Sequence, residues 1–250
     1  MLSQIREEFA SRINPVSINI ETLEYLDDFI QNHSIERVLE FGSGVSTEFW
    51  SEKIPNAHVI SFDNSRRYAK ITQSRIHKEA KNTSIRFAPL RRMKFFGLHY
   101  ISYRIGTYLE KNAPTKPFNL VLIDGPPGYL YAREAALFQA LPYIDEQTTI
   151  ILDDAEREIE KQTIERWGAL FEMKNLTYHS MGKKEVAIFS INPKPNETRL
   201  PDMNIHTRSH MRKLFLTFHK RNIMHNLWLF KMKILNKEPF PDQKMDQSDE

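Results

Sequence analysis

The chain has 250 residues, 40% of them hydrophobic and 27% charged, enough for one large α/β domain with appendages and unlike a disordered chain. It contains no cysteine, which excludes disulfides and thiolate metal sites, and no run reaches the roughly 18 apolar residues of a membrane span. The net charge is only +3, but residues 205–237 carry eight Lys or Arg and no acid, while residues 238–250 carry one Lys and five acids. A near-neutral body with a basic tail is not a uniformly basic nucleic-acid binder, and no nucleic-acid partner is expected.

Taken in order, the chain opens on MLSQIREEFASRINPV, which has charges where a signal peptide needs an apolar core, so a cytoplasmic protein is expected. Ile5 and Phe9, four apart, predict a short amphipathic helix within residues 2–12, interrupted by Pro15; residues 1–19 form this N-terminal segment. Leu23, Leu26, Phe29 and Ile30 predict a second helix over residues 20–32.

The stretch VLEFGSGVSTEFW, residues 38–50, reads as a buried strand ending in Glu40, a glycine turn at Gly42 and Gly44, and a helix from Ser46. Glycines let backbone approach a ligand, and the first helical turn offers unpaired N–H groups, so this is a nucleotide-type pocket. A dinucleotide fingerprint needs a third glycine where Thr47 stands, and Glu40 would repel a pyrophosphate. A carboxylate there suits a cationic or hydroxyl-rich ligand. The pattern of two apolar residues, Glu, x, Gly, x, Gly resembles the first motif of class I S-adenosylmethionine-dependent methyltransferases, whose loop passes under the amino-acid end of the cofactor. The resemblance implies cofactor contacts at Glu40, Phe41, Gly42, Ser43 and Gly44.

HVISFDNS is a strand ending in Asp63, 21 residues after Gly42, about the spacing at which a second-strand carboxylate meets ribose hydroxyls. Asp63 and Asn64 are therefore expected at the ribose, with a helix N-cap as the alternative. Residues 65–82 read as a polar helix and residues 84–88 as a third strand. Residues 91–116 interleave Arg91, Arg92, Lys94 and Arg104 with Phe95, Phe96, Tyr100, Tyr103 and Tyr108. They are expected to form a helix with a basic face and an aromatic face, or else to line a pocket for an anionic or sugar-like acceptor.

Residues 120–123 form an apolar strand ending in Asp124, followed by the turn that Gly125, Pro126, Pro127 and Gly128 impose. In an open parallel sheet, Glu40, Asp63 and Asp124 would face one crevice. A fifth strand, residues 148–152, ends in Asp153 and Asp154. IDGPPG followed by ILDDA resembles the fourth and fifth strand ends of small-molecule O-methyltransferases. In their divalent-metal branch, an Asp and an Asp-Asn pair hold a magnesium-class ion that binds two adjacent acceptor oxygens. That resemblance implies Asp124, Asp153 and Asp154 as ligands of Mg or Mn, with Asp154 departing from the usual Asn. Similar turns occur in sugar and polysaccharide methyltransferases that need not share the metal. There Asp153 or Asp154 would act as base toward the acceptor, or cap the helix expected from Glu156.

A hairpin around Gly182 closes residues 20–192. The expected fold is thus the Rossmann-like class I methyltransferase fold, a mostly parallel seven-stranded sheet with an antiparallel last strand and helices on both faces. Residues 193–204 read as a Pro-rich linker, 205–237 as a basic apolar helical tail and 238–250 as disordered. Two apolar stripes in the tail suggest a helix pair broken near Asn222, or one helix gripped from two sides by the body or a second copy; docking on the inner face of a membrane is the other use. His206, His210, His219 and His225 have no metal spacing and read as surface histidines. The expected function is transfer of a methyl group to an oxygen of a small-molecule or sugar acceptor. The alternatives are a non-catalytic scaffold on the same fold, a nucleic-acid methyltransferase, and a nicotinamide oxidoreductase. The last lacks both the third glycine and a Tyr-x-x-x-Lys, since Thr72 and Thr107 follow Tyr68 and Tyr103.

Overall fold

The computed structural model describes residues 3–14, 17–196 and 204–234. Pro15, most of the linker and the acidic terminus lie outside these residues. The helices are α1 (Gln4–Phe9), α2 (Ile20–Asn32), α3 (Val45–Lys53), α4 (Arg66–Arg75), α5 (Gly106–Asn112), α6 (Arg133–Ala140), α7 (Glu158–Leu170) and α8 (Arg208–Ile234). The strands are β1 (Arg37–Phe41), β2 (His58–Asp63), β3 (Thr83–Phe87), β4 (Leu90–Phe95), β5 (Leu98–Tyr103), β6 (Leu120–Ile123), β7 (Thr149–Leu152), β8 (Met173–Met181) and β9 (Lys184–Ile191).

Seven strands form one sheet in the order β3-β2-β1-β6-β7-β9-β8. All are parallel except β9, which runs antiparallel to both its neighbours. The central strands are apolar on both faces, as a sheet covered on both sides requires. Alternate residues serve opposite cores. Val38, Val59, Leu120, Leu122 and Ile151 pack with α1, α2 and α3, while Leu39, Phe41, Ile60, Val121, Ile123 and Ile150 pack with α6, α7 and β5. The chain leaves β1 toward β2 and β3, then returns to β6 on the other side of β1. That reversal opens a crevice beyond the carboxyl ends of β1 and β6.

Three expectations need correction. Residues 91–116 are not one helix: β4 and β5 form a separate antiparallel hairpin, followed by α5. Phe96 and Gly97 both have positive φ, 49° and 79°, the backbone that a two-residue hairpin turn needs. Arg91 and Lys94 face solvent from β4 while Tyr100, Ile101 and Tyr103 are buried on β5, so the basic and aromatic residues separate by strand. The helix expected over residues 65–82 stops at Arg75. Finally, the tail is a single helix with no break at Asn222. Its first half is seated on the body through Met211 and Phe218, whereas Leu216, Ile223, Met224 and Leu227 are exposed.

Candidate functional site

Gly42 makes the tight turn out of β1 at φ 103°, and a Cβ there would lie 3.0 Å from the backbone of Asp124. A side chain at Gly42 would thus meet both a forbidden dihedral and a neighbouring strand end. The β1 and β6 loops touch across the switch point, and Tyr103, stacked on Phe41, fills the floor beneath them. Gly42, Ser43 and Gly44 are partly exposed above it and lead into the first turn of α3, where the Thr47 hydroxyl accepts from the Gly44 N–H.

Asp63 closes β2 on the same edge. Ser43 Oγ donates to one carboxylate oxygen at 2.9 Å and the Ser65 N–H to the other at 2.6 Å. Burial pushes this carboxyl up to about 6, against those hydrogen bonds. Asn64, beside it, is half-buried. Asp63 is nearly buried, and the cap of α4 falls to Ser65 instead, whose hydroxyl accepts from the Tyr68 N–H.

Glu40 does not share that outlook. It is wholly buried, and its carboxylate accepts from the Thr47 hydroxyl, from Ser61 Oγ at 2.6 Å and from Trp50 Nε1 at 3.1 Å. Phe41 is buried too, in the core. The carboxylate expected to aim at a ligand ties β1 to α3 and β2, because three donors inside the fold claim it. Burial raises its pKa against these bonds.

Asp124, Asp153 and Asp154 come together beyond β6 and β7, with one oxygen from each lying within 4.8 Å of the others. Neither Asp153 nor Asp154 caps α7, which starts at Glu158; Asp154 instead takes φ 57°, and Ala155 N–H pairs with β9. Two cations that sequence reasoning passed over sit among them. Arg133, at the start of α6, reaches Asp124 Oδ1 at 3.3 Å and Asp154 Oδ2 at 2.8 Å. It also donates to the carbonyls of Pro126, Asp124 and Asp153. Lys184, the first residue of β9, lies 3.2 Å from Asp153 Oδ2 and 3.0 Å from Asp154 Oδ1. An arginine opening the fully buried helix REAALFQA, nine residues after the Asp124 strand end, was the available signal.

The electrostatics follow from these contacts. Burial and the neighbouring Asp153 raise Asp124 well above the usual carboxylate range, and burial with the Asp154 charge raises Asp153. Burial alone would raise Asp154 as well, but Arg133, Lys184 and Arg157 hold it at about 2. A magnesium-class ion does not fit this arrangement. The carboxylates already face buried cations, and a hard divalent ion wants six or more oxygen ligands free of competing positive charge.

The strand order and the crevice at the switch point decide the architecture. The fold is that of the class I methyltransferases. No protein-family profile and no curated protein matches the chain. Solved structures with this methyltransferase fold do match. An O-methyltransferase from Bacillus cereus in complex with SAH is 18% identical with a TM-score of 0.53, covering 76% of this chain and 92% of its own. The O-methyltransferase TomG from Streptomyces achromogenes, involved in tomaymycin synthesis and in complex with SAM, is 14% identical with a TM-score of 0.52, covering 76% and 86%. A candidate O-methyltransferase from Klebsiella pneumoniae is 16% identical with a TM-score of 0.55, covering 75% and 87%. At these identities the likeness is one of fold.

One more polar cluster lies under the hairpin, away from the crevice carboxylates. Glu134 on α6 is wholly buried and receives Arg166 Nε at 2.8 Å, with His206 Nε2 2.9 Å from the same oxygen. His206 Nδ1 lies 3.2 Å from the His99 carbonyl, and its ring lies 4.2 Å from Tyr100. His206 is therefore a buried anchor of the tail, not the surface residue expected.

Proposed function

We propose that the protein is an S-adenosylmethionine-dependent methyltransferase acting on an oxygen of a small-molecule or sugar acceptor. The observation that carries this reading is the convergence of the Gly42–Gly44 turn, Asp63 and Asp124 on one crevice at the switch point of a sheet with an antiparallel last strand. The solved O-methyltransferases of this fold in complex with SAH or SAM support it. When bound, the cofactor would supply an electrophilic methyl group. Ser43 and Gly44 would lie against its amino-acid end, and Asp63 with Asn64 would receive the ribose hydroxyls. Alignment of the acceptor oxygen with the methyl carbon is most of the remaining work.

Asp124 is the carboxyl of the triad that faces the crevice, while Asp153 is wholly buried and its Oδ1 has no hydrogen-bond donor. A hydroxyl proton taken by Asp124 can be matched by transfer of the Asp124 proton to Asp153, so the pair serves as the base. Asp154, pinned by three cations, holds the pair's surroundings in place. Calorimetric titration of S-adenosylmethionine and S-adenosylhomocysteine into the purified protein tests the reading. Micromolar binding, lost in Asp63→Ala, is the expected result; absence of binding by both ligands would overturn it and favour a scaffold role.

The tail points to where such an enzyme works. No helix among the described residues is long and apolar enough to cross a membrane. Leu216, Ile223 and Leu227 share one exposed face of α8, with Arg212, Lys213 and Lys220 beside them. Arg92, Arg208, Arg212 and Lys213 line a groove of about 800 Å³ between α8 and the hairpin. Residues 204–234 contain no acid, so a second copy of this face would repel it, whereas an anionic lipid surface complements both the apolar stripe and the cations. The reading is a cytoplasmic enzyme held against an anionic bilayer by α8.

A further inference from the structure

The carboxylate triad carries a charge pattern that a metal site would not have. Lys184 Nζ has three acceptors around it: Asp153 Oδ2 at 3.2 Å, Asp154 Oδ1 at 3.0 Å and the Ser17 carbonyl at 3.4 Å. The ammonium hydrogen-bonds Asp153 and the Ser17 carbonyl and pairs by charge with Asp154, so it is engaged within the fold. The Arg133 guanidinium is likewise engaged by three carbonyls and three carboxylates, those of Asp124, Asp154 and Glu160. Both cations are internal parts of the site, and both are there to neutralise it.

Asp153 and Asp154 face Lys184, while Asp124, Asp154 and Glu160 face Arg133, so each cation bridges at least two carboxyl groups. A divalent ion added to this set would bring two further positive charges against Arg133 and Lys184, which already pair with the same carboxylates. The position of Asp154 is explained by the same pairing. An asparagine there, the residue that the metal-binding resemblance leads one to expect, would leave Arg133, Lys184 and Arg157 without the carboxylate all three share.

We propose that Lys184, together with Arg133, stands where a divalent ion would sit, so that this triad is built to work without a metal. The proposal has a converse: removing the Lys184 amine turns the triad into a divalent-cation site. It deepens the methyltransferase reading by making the acceptor one that need not offer two adjacent oxygens to an ion. Lys184 is a positioning residue here, since it holds Asp153 and Asp154 and touches no reacting atom.

The test is metal binding and thermal stability of the full chain without cofactor, so its outcome is independent of whether S-adenosylmethionine binds. Wild-type protein is expected to show no heat on titration with Mn²⁺ or Ca²⁺, and the same melting temperature with either ion or with EDTA. Lys184→Met is expected to melt lower, to bind Mn²⁺ stoichiometrically and to regain several degrees with it, but not with matched ionic strength of KCl. Adding Asp153→Asn should abolish that gain. Should Lys184→Met fail to fold, Lys184→Gln removes the charge while keeping a hydrogen-bond donor beside Asp153, and should bind Mn²⁺ in the same way. Stoichiometric Mn²⁺ binding by the wild type that disappears in Asp153→Asn would overturn the proposal, and so would folded Lys184 variants that ignore the ion.

Discussion

Asp63 shows how a single residue can weaken the fold and still be kept. Its carboxyl is raised to about 6 by burial, so the folded state holds the proton more tightly than the unfolded chain does. A raised carboxyl favours the fold below the unfolded pKa and disfavours it once pH passes the folded one. Above about pH 6 the ionised group therefore costs roughly 3 kcal/mol, at about 1.4 kcal/mol per unit. Asp63→Asn should be more stable than wild type at pH 8, by up to roughly that amount, and no more stable near pH 4 in chemical denaturation. Cofactor binding should show the opposite dependence. Ribose hydroxyls donate best to the ionised carboxylate, so affinity should fall below pH 6 by as much as about tenfold per unit. A flat affinity profile in the wild type would mean that Asp63 does not touch the ribose.

At the scale of elements, the hairpin and the tail are one assembly. Tyr100 on β5 donates to Glu134 Oε1, and His206 and Arg166 hold Glu134 Oε2, so the carboxylate of α6 joins the hairpin, α7 and the segment leading into α8. His206→Ala removes the ring against Tyr100 and one of these bonds while leaving Met211 and Phe218 in place. Limited trypsinolysis should then cut between residues 193 and 212 at least tenfold faster than in wild type. Cleavage at the wild-type rate would show that the apolar contacts alone seat the helix. This anchoring also marks what was legible in the sequence. Strand ends at Glu40, Asp63, Asp124 and Asp153 could be read because apolar runs closing on a carboxylate or a glycine turn are local signals. Glu40 turning inward could not, since its partners Thr47, Trp50 and Ser61 come from two other elements. Lys184 and His206 were missed for the same reason, since each owes its role to an acceptor more than 20 residues away, and Arg133 in part, since it also reaches Asp154 on the next strand end. The hairpin was misread because its basic and aromatic residues follow one another without a break in the sequence, and only the pairing of Phe95 with Leu98 across the turn assigns the cations to β4 and the buried tyrosines to β5.

At the scale of the molecule, the crevice and the docking face belong to different parts of the chain, and they should separate in experiment. Helix α8 has 27 residues, roughly 40 Å at 1.5 Å per residue, and its seat on the body ends near Phe218. The half beyond that point carries Lys220, Ile223, Met224 and Leu227 outward with no acid to offset the cations. Vesicles of phosphatidylcholine with about a third phosphatidylglycerol should co-sediment the wild-type protein, whereas phosphatidylcholine alone should not, because each basic residue near an anionic surface contributes on the order of 1 kcal/mol. Raising salt from about 0.1 M to 1 M shortens the screening length from ~10 Å to ~3 Å and should release most of the bound protein. Replacing Leu216, Ile223 and Leu227 together with Gln should abolish sedimentation at low salt as well, since the cations then lack an apolar stripe to insert. S-adenosylmethionine affinity should be unchanged in that variant, because none of the three residues borders the crevice. A concentration-dependent dimer in light scattering that the same three substitutions dissolve, with no binding to either vesicle, would replace the bilayer with a second copy of the chain.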